Sequence, residues 1–597
     1  MFRNLLILFV AGVVIIAPFL FQQEQKASAW REGDPMLYII SPHNEAIRYE
    51  FERAFSLSEI EAGRKPVRIE WINIGGTTEI LRYLKSAYGT SFKASWQSQG
   101  KPWPDNGVNV VTDARFNTKE PGKDVSAQKF DLQLQAYTAL RATDDPKAFG
   151  IRRDLFFGGG EFDHSKAFGE GYTVRVWPEG QEPKHLFTAP DGTLLIPERL
   201  SGELWRTPAV LGNCVSAFGI VYNADRLTQL GFPIKASTEW QWDDLADPRL
   251  FRQVGVADPT KSGSIAKAFE MIIHQKVYQR VRREGFDDAQ IASFEKLYGR
   301  DGKRPTTVPE AYQRAVEAGW VDGLRLVQLI GANARYFTDA AGKVPIDVGQ
   351  GDAAAGMCID FYGRFQAQVS IGKDGQSHME YVTPRGGSSV SCDPISLLRG
   401  APDRELAVRF IEFVLSVEGQ KLWTYKPGTP GGPEKFALRR IPIRRDFYPS
   451  TQPSMQASHE QHLQYAADDL ADPTIDPYAL AETFTYQRRW TGSHFGIQRD
   501  LIRAMCMDSG EELRGAWSAI IRAGGPDQQP DAMNVLNTLP VIQVRNKETG
   551  VMEDVKIEWS TITSVSKKYD TLDYMREWTE AFRGQYRRAG SSVKVQN

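Results

Sequence analysis

The sequence predicts an α/β protein of two lobes joined by hinge strands, and three observations carry the prediction. First, an apolar run at residues 37–41 and an alternating run at 67–72 flank a segment where Ile47, Phe51 and Phe55 recur at helical spacing. Strand, helix, strand is the unit from which parallel sheets are built. Second, Gly75-Gly76-Thr77-Thr78 and Thr260-Lys261-Ser262-Gly263-Ser264 each stand between a strand-like run and a helix-like run. Third, residues 208–223 form an extended run long enough to pass from one lobe to the other.

In chain order, Arg3, the apolar run 5–21, Pro18 and Ala27-Ser28-Ala29 before Trp30 read as an export signal, with a mature chain from Trp30. An uncleaved N-terminal anchor is the second reading, because the run reaches the lower limit of a membrane span. With no cysteine near the cleavage region, lipid anchoring is not expected, and no later run has the length and apolarity of a membrane helix. The 597 residues imply at least two domains, and a hydrophobic fraction of 41% is ample for their cores. A net charge of −2 offers no basic stripe to a nucleic acid. Cys214, Cys358, Cys392 and Cys506 leave buried thiols and a disulfide equally open, and the absence of CxxC argues against a metal role.

Ser41 and Gly75 fall at the carboxyl ends of the first two strands, where ligands of such sheets lie. Residues 86–150 lose periodicity and read as a surface insertion with one helix near 125–141. Leu155-Phe156-Phe157 is a strand opening into Gly158-Gly159-Gly160, a loop that permits close backbone approach. Ile265, Phe269, Ile272 and Ile273 define a helix beginning at the second small-residue cluster. The buried strand ending at Ile359 presents Asp360 and Tyr362. A return strand near Tyr381 and a helix carrying Leu406, Phe410 and Val414 close the core. The expected organisation is a signal at 1–29, lobe 1 over 30–215 with the insertion 86–150, and lobe 2 over 216–380. A lobe 1 return at 381–445 and a helical C-terminal extension at 446–597 follow.

The order of these segments resembles the extracellular solute-binding proteins of bacterial ABC importers, in the branch holding ferric-iron, thiamine, phosphonate and sugar-phosphate receptors. The resemblance rests on Ile40-Ser41-Pro42-His43, Gly75-Gly76-Thr77, Gly158 to Gly160 and Phe218-Gly219-Ile220-Val221-Tyr222-Asn223. It continues through Trp242-Asp243-Asp244-Leu245, Asp258 to Ser264, Gly351-Asp352-Ala353-Ala354, Tyr362, Ser416-Val417-Glu418-Gly419-Gln420 and Leu438-Arg439-Arg440-Ile441-Pro442. It implies a periplasmic binding protein-like fold that closes about a hinge, an exported receptor without catalysis or cofactor, and delivery of a small solute to an importer permease. Membrane contact is then expected only through that permease or an uncleaved N-terminus. Two features depart from the family. Phe361 stands where iron receptors carry the first of two tyrosines, and the chain beyond Trp423 exceeds what the fold needs.

The predicted ligand is anionic. Helix N-termini carry unpaired N–H groups and partial positive charge, so two of them on opposite lobes would grip a phosphate or carboxylate. The ligand-binding candidates are Ser41, Gly76, Thr77, Thr78, Gly159, Gly160, Ser262, Gly263 and Ser264, with Asp360 and Tyr362 reading the rest of the solute. The plain reading of the clusters is helix capping, and that of Asp360 is a carboxylate satisfied by local backbone donors. A ferric-iron receptor using Tyr362 and His43, and an exported sensor or enzyme using the same cleft, are the alternatives. His43 otherwise reads as exposed, Lys261 either as a cation suited to an anionic ligand or as an outward-pointing lysine, and Asn333 with Arg335 either as residues before a cleft-facing loop or as solvated surface. His459 and His462 read as a solvated helix face. No GxSxG, HExxH or GxxxxGK occurs.

Overall fold

The computed structural model describes residues 30–122, 125–299, 302–473 and 475–594; the signal or anchor reading at 1–29 lies outside the described residues. Two sheets organise the chain. In the first, β1 (Met36–Ile40) pairs in parallel with β2 (Arg68–Ile72) and with β3 (Leu155–Phe157). The helix Glu45–Glu61 joins β1 to β2 and buries Ile47, Phe51 and Phe55 against the sheet, which is the predicted strand–helix–strand unit.

Three two-residue strands follow β3, namely β4 (Thr173–Val174), β5 (Arg199–Leu200) and β6 (Glu203–Leu204). The run 208–223 resolves into two strands parted by Ala217. The first, β7 (Leu211–Ser216), belongs to the sheet of β1; the second, β8 (Phe218–Asn223), belongs to the other sheet. All residues of both strands are buried, which fits their continuous apolar sequence. The second sheet sets β9 (Val254–Ala257) between β10 (Ala334–Thr338) and β11 (Ala355–Ile359), with β8 and β12 (Met379–Val382) completing the order β10-β9-β11-β8-β12. The chain then returns through β13 (Ser391–Leu398), which lies antiparallel between β3 and β7. Strand β14 (Ile441–Pro442) closes the first sheet beside β7. The molecule is thus a two-lobe α/β fold with hinge strands, lobe 1 on the first sheet and lobe 2 on the second.

Packing corrects one expectation and decides one point the sequence left open. The segment 86–150 is more than a surface insertion: the helix Thr77–Ser98 runs well into it and Ala127–Ala142 follows. Trp96, Val111, Ala136, Leu140 and Phe149 share a core with Tyr88, Phe156 and Tyr172. The C-terminal extension is divided between the lobes. The helix Pro453–Tyr465 packs on lobe 1, whereas Trp490, Trp517, Trp578, Phe582 and Tyr586 join the lobe 2 core around the helices Gly263–Arg283 and Glu310–Asn333. The sequence read the extension as helical, but did not say which lobe would cover it.

His459 and His462, read as solvated, are buried on that first helix; His459 Nδ1 bonds the Phe447 carbonyl and His462 Nδ1 the Tyr425 hydroxyl. Asn333, read either as preceding a cleft-facing loop or as solvated surface, is fully buried and ties three elements together. Its amide donates to the carbonyls of Leu245 and Asp247 and accepts from the Trp517 indole. All four cysteines are free and buried.

Candidate functional site

Between the lobes lies a cavity of about 540 Å³. Its walls come from the carboxyl ends of β1 and β2, the loop after β3, the start of the Gly263–Arg283 helix, the end of β11, and β13 with Arg440 from the lobe 1 return. Tyr486, Arg488, Gly492 and Phe495 of the extension complete it.

Of the sequence-predicted site residues, Gly76, Thr77, Gly159, Gly160, Ser262, Gly263, Ser264 and Tyr362 line the cavity, while Ser41, Thr78 and Asp360 do not. Ser41 is fully buried and its hydroxyl accepts from the His43 N–H at 3.1 Å, turning the chain after β1. The Thr78 hydroxyl accepts from Arg499 at 2.6 Å. Asp360 takes the N–H groups of Ala217 at 3.0 Å and Phe361 at 2.7 Å and pairs with Arg364, so it holds the hinge strand rather than facing solute. Burial raises its pKa, which those donors and Arg364 oppose.

The two helix starts do face each other, as predicted, yet they are already in contact. Thr77 donates its hydroxyl to Asp163 at 2.5 Å, and a β-carbon on Gly263 would stand 3.2 Å from that hydroxyl and 3.4 Å from the Asp163 carboxylate. The protein's own carboxylate therefore sits where the sequence placed an external anion. Ser262 acts as the helix cap, accepting from Ile265, and Lys261 turns to Asp339 at 2.8 Å.

What the sequence reading missed is the floor. Arg440, 2% exposed, donates to Asp393 and, at 3.0 Å, to the Ser216 hydroxyl, while its Nε and Nη1 groups have no partner among the described residues. Its guanidinium lies 4.1 Å from the Phe361 ring centroid, so the residue that departs from the paired-tyrosine pattern serves as a stacking face for a buried cation. Burial opposes the Arg440 charge, but Asp393 outweighs it and holds the pKa above its ordinary value. His43, expected to be exposed, is 4% exposed with both ring nitrogens unpartnered. Burial, then the Arg440 charge, depresses its pKa well below the ordinary value, leaving a neutral ring with one donor and one acceptor. The sequence signals for this floor were the Leu438-Arg439-Arg440-Ile441-Pro442 run and His43 of the early loop, neither of which announced its burial.

A second charged group lies on the wall. Lys267 bridges Glu203 of lobe 1 and Glu270 of its own helix, both at 2.9 Å, and Glu270 also accepts from the Tyr486 and Thr491 hydroxyls. Every carboxylate on the wall is in fact engaged within the protein: Glu161 by Ser165, Asp163 by Thr77, Glu203 and Glu270 by Lys267, Asp339 by Lys261, and Asp393 by Arg440. The donors are not all used, because Arg440 keeps free N–H groups and Arg488 has no ion-pair partner among the described residues.

Residues 216–426 match the family described as bacterial extracellular solute-binding protein. An uncharacterized protein of Haemophilus influenzae is 26% identical over 226 residues, which is 37% of this chain and 51% of that protein. The chain thus spans about half the length of the curated relative it matches. Among solved structures, the periplasmic binding protein AfuA of Actinobacillus pleuropneumoniae, solved with fructose-6-phosphate, aligns at 14% identity and TM-score 0.41, over 77% of this chain and 98% of its own. The ferric binding protein of Campylobacter jejuni aligns at 14% identity and TM-score 0.36, over 75% and 95%. The spermidine/putrescine-binding protein PotD of Streptococcus pneumoniae aligns at 13% identity and TM-score 0.41, over 79% and 99%. Over residues 216–426, the sequence of this chain is similar to the bacterial extracellular solute-binding proteins.

Proposed function

We propose that the protein is an exported solute receptor that encloses a small anionic ligand between its lobes and hands it to an ABC importer permease. The observation that carries this reading is the buried cation on the cavity floor: Arg440 is paired with Asp393 yet keeps its Nε and Nη1 groups without a hydrogen-bond partner among the described residues. A buried polar group without a partner is costly, and a ligand carboxylate or phosphate oxygen would relieve that cost with a charge-assisted hydrogen bond. Tyr362 stands on the same surface to bond ligand hydroxyls or oxygens, and Phe162, Phe218 and Phe495 supply apolar wall for the rest of the solute. A volume of about 540 Å³ falls within the range of small-molecule sites. Contacts made only when the lobes meet bias the open–closed equilibrium toward closure. The family match across residues 216–426 supports the receptor class and delivery to a permease from the periplasm.

The test is a thermal-shift screen of the chain from Trp30 against phosphorylated sugars, phosphonates, thiamine, polyamines and ferric iron with and without phosphate. A ligand at a hundred times its dissociation constant adds about 2.7 kcal/mol of stability. The expected result is a shift with anionic compounds that disappears in Arg440→Lys, which keeps the charge and loses the Nη1 group. A shift with polyamines alone would overturn the anionic reading.

A further inference from the structure

The extension beyond the two-lobe core touches lobe 1, crosses to lobe 2 and touches lobe 1 again. The helix Pro477–Thr483 packs on lobe 1, where the Tyr478 hydroxyl donates to the Ile443 carbonyl and the Ser201 hydroxyl donates to the Ala481 carbonyl. The Tyr486 N–H then donates to the Ser201 carbonyl at 2.8 Å. From there the chain is bound to lobe 2: the Gln487 N–H donates to His274 Nε2 at 2.8 Å, and Thr491 and Tyr486 donate to Glu270. The helix Phe495–Ile502 finally brings Arg499 over the cleft. Its Nε and Nη2 groups donate to the carbonyls of Pro259 and Thr260 in lobe 2, at 2.7 and 2.9 Å, and Nη2 also reaches the Thr78 hydroxyl of lobe 1 at 2.6 Å. Beside it, Phe495 meets Phe162 of lobe 1 with ring centroids 4.8 Å apart.

We propose that this extension is a strap that holds the lobes together across the cavity, so that the resting receptor is closed and solute exchange requires release of the Arg499–Thr78 contact. The lobes cannot separate at the helix starts while Arg499 spans them, because its other two bonds fix it to the lobe 2 backbone. The same segment supplies Tyr486, Arg488 and Phe495 to the cavity wall, so releasing the strap also unroofs the site. The Lys267–Glu203 pair ties the lobes on another wall of the cavity and acts in the same direction. The strap rests on contacts between the lobes; only its role in solute exchange depends on the receptor reading.

The test needs no solute. Spin labels on Arg82→Cys, whose side chain is 68% exposed in lobe 1, and Gln350→Cys, exposed in lobe 2, report the interlobe distance, and the four native cysteines are buried. In the full chain without solute, a single short distance is expected. Thr78→Val removes only the lobe 1 acceptor and leaves the Arg499 anchorage on lobe 2 intact, so misfolding of the extension does not confuse the result. It should raise the open fraction on the order of tenfold, the scale of losing a hydrogen bond to a charged group. A long distance in the unmodified chain, or an unchanged distribution in Thr78→Val, would overturn the strap. If the chain is closed yet the solute screen is silent, the strap stands and the receptor reading falls.

Discussion

Gly76 of lobe 1 lies so close to Lys261 of lobe 2 that a β-carbon added at Gly76 would stand 2.6 Å from the Lys261 carbonyl oxygen. The contact is backbone against backbone, and Gly76 has an ordinary extended conformation with φ of −73°, so the glycine is needed for proximity and not for its dihedral angles. Gly76→Ala should therefore leave each lobe as stable as before and prevent full closure. Small-angle scattering is expected to show a larger radius of gyration, and affinity for any solute found in the screen should fall on the order of tenfold or more. Unchanged scattering would mean that the interface shifts to accept a methyl group.

The Arg440–Asp393 pair predicts an asymmetric stability effect. Removing one partner of a buried ion pair strands the other charge and costs about 3–5 kcal/mol, whereas replacing both by apolar residues of similar volume is often nearly neutral. Arg440→Met alone should strongly lower the urea midpoint, and Arg440→Met with Asp393→Leu should recover most of the loss. A double variant as unstable as the single one would show that Asp393 is held for some other contact.

The C-terminal helix Thr571–Ser591 buries Trp578, Phe582 and Tyr586 in the lobe 2 core. Phe582→Ala should cost about 3–5 kcal/mol, as large-to-small changes of buried aromatics do. Limited proteolysis should then release lobe 2 fragments first, and lobe 1 fragments should resist. Equal sensitivity of both lobes would show that the extension supports the whole molecule.

His378 lies on the surface between Asp225 at 2.7 Å and Asp374 at 2.7 Å. Donating to Asp225, then to Asp374, raises its pKa above the ordinary value. The raised value means that its contribution to stability is fully present below the unfolded histidine pKa, about 6.5, and is lost as pH rises through the folded pKa. A nuclear magnetic resonance titration should show the His378 midpoint displaced upward, and Asp225→Asn should move it back. A midpoint at the ordinary value would mean that the bridge opens in solution.

Much of the cleft was legible because it is made of short-range signals. Helix starts, strand ends and glycine loops are written in consecutive residues, so Gly76, Thr77, Gly159, Gly160, Ser262, Gly263 and Ser264 could be placed on one cavity before any contact was known. Asp360 went astray because the same carboxylate that ends a strand in sequence turns back in space to the N–H of Ala217, a partner more than a hundred residues away. The helix starts were read as open donors because nothing local announces that Asp163, on a different helix, reaches Thr77.

The amino-acid pattern alone determined the strand–helix–strand unit at the start, the extended run that carries the chain between lobes, and the helix starts at Thr77 and Gly263, because backbone propensity and burial period act over a few residues. Tertiary structure decided which charges meet. Arg440 is an ordinary arginine until β14 sets it under His43 and beside Asp393, and Arg499 is an ordinary helix residue until the extension packs on lobe 2. Those contacts join residues far apart in the chain, and their energies depend on burial and distance that only the folded molecule sets.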